Sequence, residues 1–78
     1  MNKAQFEAIL PLIVTSLMKK IIERKKISQD EAFSQLYNSR LYSALDDEET
    51  KVWHYSAEML FFLLEKEMAT GNLEFPEQ

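Results

Sequence analysis

A chain of 78 residues with no cysteine, one histidine and one glycine has little with which to build thiolate chemistry, imidazole clusters or glycine-rich phosphate loops. Its 46% hydrophobic content is enough to fold, yet a domain this small buries only a marginal core, and without disulfide or metal staples oligomerisation is the remaining support. The net charge of −4 hides an asymmetry: residues 1–27 carry six basic and two acidic side chains (+4), and residues 28–78 carry three and eleven (−8). Such a chain could pair head to tail with itself or meet a partner of mixed charge.

The first predicted helix runs from about Lys3 to about Lys26. Phe6, Ile9, Leu10, Ile13, Leu17 and Ile21 recur at helical spacing, and Val14 and Ile22 widen the stripe. Pro11 removes a backbone donor and crowds the carbonyl four residues back. Either residues 3–9 form a separate turn or the helix continues with a kink, and the continuous kinked helix is the favoured reading. The run Ala8 to Met18 is too short for the roughly 20 residues of a membrane span. Glu7 before it and Lys19-Lys20 after it fit a signal peptide poorly, so a cytoplasmic location is the default expectation. Lys19, Lys20, Arg24, Lys25 and Lys26 crowd the C-terminal turns, where cations complement the helix dipole.

Ser28-Gln29-Asp30-Glu31 reads as a capping box that opens a second helix. This helix extends to about Asn38 and is expected to bury Ala32, Phe33, Leu36 and Tyr37. Ser39 caps a short third helix, Arg40 to Leu45, burying Leu41, Tyr42 and Leu45. Asp46-Asp47-Glu48-Glu49 places acids at a helix start, where they favour the positive dipole end. A short helix from about Glu48 to His54 would then set Val52 and Trp53 against the core. Ser56 caps the last helix, Ala57 to about Thr70, and Gly71 ends it in a left-handed turn. Residues 1–71 thus read as one domain and residues 72–78 as an extended tail. In that tail Pro76 forbids helix, while Leu73 and Phe75 alternate around Glu74. The fold class is all-α, with long first and last helices packed together and shorter helices between.

Ala32, Leu36-Tyr37-Asn38-Ser39, Tyr42, Leu45, Asp47-Glu48-Glu49-Thr50, Trp53, Ser56, Leu60, Leu64, Glu67, Gly71 and Phe75-Pro76 form a pattern over somewhat more than half of the chain. It resembles a family of small bacterial helical proteins, a domain of unknown function, marked by a leucine-tyrosine-asparagine-serine element and a late glutamate-x-x-x-glycine. The resemblance implies a bacterial helical protein, and some members of that family are thought to sit in gene pairs of a toxin–antitoxin kind. The family has no agreed active site, so no catalytic residue is carried over, and the acidic run at 46–49 need not be shared.

The residues offer no catalytic, metal or cofactor site. His54, between Trp53 and Tyr55, needs a nucleophile and an orienting carboxylate to act as a base, and Ser56 and Glu58 are too close in sequence to converge on it well. It has no second histidine or thiol with which to hold a metal, and the acidic run lacks the spaced oxygens and turn glycine of a calcium loop. No enzyme is expected. The Lys19–Lys26 cluster keeps a DNA-binding regulator open as a second alternative. However, the segment Arg40 to Leu45 offers one cation and then runs into four acids, so nucleic acid is not the expected partner. The stronger signal is apolar surplus: Phe6, Phe33, Trp53, Phe61 and Phe62 exceed what one small core holds beside so many leucines. The expectation is a protein–protein interaction module, homodimeric through apolar helix faces, with Ile13, Leu17, Phe61, Phe62 and Leu63 at the interface. An antitoxin-like or adaptor protein, using Asp46–Glu49 against a basic site on a partner encoded nearby, is the first alternative.

Overall fold

The computed structural model describes residues 2–74, all of whose regular structure is helical. Helix α1 spans Lys3–Lys25, α2 Gln29–Tyr37, α3 Arg40–Leu45 and α4 Ala57–Thr70. Two 3₁₀ turns, Glu48–Thr50 and Val52–His54, link α3 to α4. At 1.5 Å per residue the 23 residues of α1 reach about 35 Å, which is the longest dimension of the molecule, 35 Å.

Helix α1 passes through Pro11 without interruption. Pro11 and its neighbours Glu7, Ala8 and Leu12 are exposed, so the Glu7 carbonyl that loses its helical donor is open to solvent. The reciprocal capping box forms at α1, where Asn2 accepts from Gln5 N and the Gln5 side chain accepts from Asn2 N. At α2 only the first half forms, with Ser28 Oγ accepting from Glu31 N at 3.1 Å. Ser39 and Ser56 cap α3 and α4 through Tyr42 N and Met59 N, both at 3.1 Å. Gly71, at φ 80°, ends α4 by donating to the Glu67 carbonyl.

The core is built of Leu17, Ile21, Leu36, Leu41, Leu45, Val52, Leu60, Leu63 and Leu64, all essentially removed from solvent. Helix α4 lies along the C-terminal half of α1 and runs in the same direction: Lys20 meets Glu58, Arg24 meets Phe61 and Lys25 meets Glu65. A parallel pair needs a crossover, which α2, α3 and the two 3₁₀ turns supply. Leu73 returns beyond α4 to pack against the core, half-buried. Phe75 and Pro76 lie outside the described residues.

Two expectations are corrected. The segment 48–54 is not one short helix: Lys51 sits between its two turns in the left-handed conformation, φ 58°. The Thr50 hydroxyl turns back to the Ala44 and Asp47 carbonyls, and the Trp53 indole donates to the Glu48 carbonyl at 2.8 Å. These local bonds hold the chain in tight turns that a continuous helix would break. Phe33 and Tyr37 are not core residues but stand 38% and 40% exposed. Helix α2 has only nine residues and seats Ala32 and Leu36 fully. The next positions around the helix therefore face outward, where Phe33 lies against Tyr37 and Tyr37 meets Tyr42 edge to face.

Candidate protein-docking groove

Helix α1 has more apolar circumference than α4 can cover. Leu10, Val14, Met18 and Ile22 recur every fourth residue, and a row at that spacing drifts slowly round a helix to form a continuous ridge. This row spans about 18 Å from Leu10 to Ile22. Met18 is buried at its base, while Leu10, Val14 and Ile22 are half-buried. On the other bank stand Phe33 and Tyr37 of α2, with Tyr42 of α3 behind them. Between the banks runs a groove of about 540 Å³, with Pro11, Thr15, Lys19 and Gln29 completing its walls. Its only formal charge is Lys19. Burial, and then the neighbouring Tyr37 and Asp46, push the Tyr42 phenol above its ordinary pKa, so it remains a neutral donor near the groove.

Leu10 also borders a second depression of about 490 Å³, lined by Lys3, Phe6, Glu7 and the acids Asp46, Asp47, Glu48 and Glu49. Asp47 caps the turn that follows it by accepting from Glu49 N at 3.0 Å. The acidic run thus has the capping role read from the sequence, and it also lies beside an apolar surface.

The opposite flank of α1 is closed. Glu58 accepts from Lys20 at 2.7 Å and from Arg24 on both carboxylate oxygens at 3.0 Å, and these two cations hold its carboxyl below the usual glutamate pKa. Lys25 Nζ reaches Glu65 at 2.9 Å and Gln35 at 2.8 Å, tying α1 to α4 and α2 together. Three of the five cations between Lys19 and Lys26 are therefore paired within the fold. Lys19 and Lys26 form no ion pair among the described residues.

The five residues expected at an interface do not share one surface. Leu17 and Leu63 are in the core, 0% and 1% exposed, because α1 and α4 meet along them, and in this fold neither can face a second chain. Ile13 and Phe61 are half-buried against the same core, Phe61 beneath the Arg24 guanidinium, 5.7 Å from its ring centroid. Phe62 alone stands out, 58% exposed, with Lys66 Nζ 6.0 Å from its ring. Periodicity alone does not separate the groove row from the core row of α1, since both are apolar at helical spacing. The separating signal is the brevity of α2, which cannot cover the full face of a helix more than twice its length.

His54 is exposed and lies against the Tyr55 ring, 4.5 Å between centroids, with Nδ1 on the Lys51 carbonyl. Ser56 is engaged in capping α4 and Glu58 in bridging to α1. No group of three metal-ligating side chains occurs among the described residues, and no helix among them is long and apolar enough to cross a membrane.

The leucine-tyrosine-asparagine-serine element and the late glutamate-x-x-x-glycine meet in space. The Glu67 carboxylate accepts from Arg40 N at 2.8 Å and Leu41 N at 3.0 Å, capping α3 from α4 alongside Ser39. Ser39, the one buried polar residue among those described, also donates to the Leu36 carbonyl. The pattern thus marks a structural corner. No protein-family model, curated protein or solved structure matches this chain.

Proposed function

We propose that this protein is a protein–protein association module that pairs with a second copy of itself through the groove between α1 and α2. The observation that carries this reading is the continuous apolar row Leu10, Val14, Met18 and Ile22, which lines one open groove with the exposed rings of Phe33 and Tyr37. An apolar groove beside a helix is a shape that receives an amphipathic helix, and a contiguous apolar surface on a small domain marks an interaction site. The interface differs from one on α1 and α4, because that seam is already filled by leucines and crossed by ion pairs.

DNA binding has less support. Phosphate neutralisation needs several free cations on one face, and Lys20, Arg24 and Lys25 are occupied by Glu58 and Glu65. The test is solution mass by light scattering after size exclusion, over a dilution series in low and moderate salt. A dimer that persists in moderate salt is expected, since the groove is mainly apolar. A monomer at every concentration overturns self-association. It would leave the groove for an unrelated protein, as the antitoxin-like or adaptor alternative requires.

A further inference from the structure

We infer that the second copy seats with its α1 antiparallel to the first, on a two-fold axis that crosses α1 at the level of residue 16. This rests on the self-association reading and adds the arrangement of the two chains. The groove row reads the same in both directions: in an antiparallel pair the half-buried Leu10 lies opposite Ile22 of the second copy, and Val14 comes over the floor of the second copy's groove at Met18, each match occurring twice. That is the condition for a closed two-fold interface, in which one surface must complement itself.

The charges select the same arrangement. The groove is acidic beyond Leu10, where Asp46, Asp47, Glu48, Glu49 and Glu7 gather with Lys3 as their only cationic neighbour in that depression. At its other end it is bordered by Lys19, and the chain leaves α1 through Lys26. These are the two cations of the basic cluster that the fold leaves without an ion pair among the described residues. Antiparallel seating brings Lys26 of the second copy level with Phe6, inside the acidic depression, and the two-fold repeats the match at the other end. Parallel seating would set acid on acid and base on base, which is repulsive at both ends. The uneven distribution of charge along the sequence, +4 over residues 1–27 and −8 over residues 28–78, is then used twice, once inside the fold against α4 and once between copies.

The chain has no cysteine, so single-cysteine variants report the arrangement without background. Thr15 lines the groove, and on the two-fold its two copies lie about 3 Å apart along the axis. Ser16 is at the axis level but on another face of α1, in a shallow depression with Leu12, Ile13 and Ala57. Thr15→Cys treated with a short bis-maleimide should give a covalent dimer in high yield, and Ser16→Cys should give little. Lys19→Glu combined with Lys26→Glu should raise the dissociation constant at least about tenfold, since the two-fold repeats each partly exposed charge match and two lysines per chain make about four in the dimer. Adding Glu48→Lys and Glu49→Lys should restore most of the loss. A dimer by mass that links in the Ser16→Cys variant and not in the Thr15→Cys variant, or whose charge reversals are not rescued, overturns the antiparallel seating while leaving self-association in place. A wild-type chain that is monomeric by mass overturns both.

Discussion

Helix α1 has two apolar flanks, and they are finished differently. Toward α4 the leucines interlock, Leu17 against Leu60, Leu63 and Leu64 in one core, and the rim is closed by Lys20 and Arg24 on Glu58 and Lys25 on Glu65. Toward α2 the apolar row continues at the same quality, but the facing helix is short and turns its rings outward beside the groove rather than across it. Sequence hydrophobicity alone does not distinguish the two flanks. What distinguishes them is whether a helix of sufficient length and opposite charge lies alongside. The sealed flank makes the fold, and the open flank is the surface we propose for a second copy.

The sealed flank can be broken first. Leu17→Ala removes a side chain with no solvent exposure, and such a truncation costs about 2–5 kcal/mol. In a 78-residue domain that is a large share of total stability, so chemical denaturation should show a strongly lowered midpoint or a chain already unfolded. An unchanged midpoint would place Leu17 outside the core.

The α3 corner comes next. Glu67→Ala strips two backbone amides of their acceptor, a loss comparable to an N-cap deletion, about 1–2 kcal/mol. The effect should appear as a lower denaturation midpoint with a nearly unchanged slope. Full retention of stability would show that water replaces the carboxylate at no cost.

The ion pairs on the sealed rim give a smaller, pH-dependent effect. The Glu58 carboxyl is held below its ordinary range by Lys20 and then Arg24. Its contribution is therefore present above the unfolded-state glutamate pKa and is lost as the pH falls through the depressed folded value. Thermal midpoints of Glu58→Gln and the wild type should differ slightly at neutral pH and converge in acid. A constant gap from neutral to strongly acidic pH would contradict this. The smallest change is in the linker. Lys51 holds a positive φ, and Lys51→Gly should relieve a left-handed strain of about 1 kcal/mol, partly offset by the added freedom of the unfolded chain. A small rise in midpoint is the expected result, and a fall would show that the Lys51 side chain contributes more than its backbone costs.

The helices were legible in the sequence because their ends carry short-range chemistry: Ser28, Ser39 and Ser56 each accept from an amide three residues on, and Gly71 takes the left-handed turn. The 3₁₀ turns were not, since they depend on Thr50 and Trp53 reaching back to carbonyls whose positions are fixed only after folding. Phe61, Phe62 and Leu63 show the same limit at the site. Three consecutive apolar residues on a helix must point three ways, and only the placement of α1 decides that Leu63 is buried, Phe61 is half-covered and Phe62 is exposed. The apolar surplus could be read from composition, whereas its location needed the lengths and angles of the packed helices.

The most direct test of the open flank compares the solution masses of the wild type, Phe33→Glu and Phe62→Glu at matched concentrations. Both rings are exposed in the single chain, so a charge at either position should leave the fold intact, as circular dichroism would verify. A dimeric wild type, a monomeric Phe33→Glu and a dimeric Phe62→Glu would place the self-interface in the groove of α1 and α2. A dimer that survives Phe33→Glu but is lost in Phe62→Glu would contradict the account and move the interface to α4.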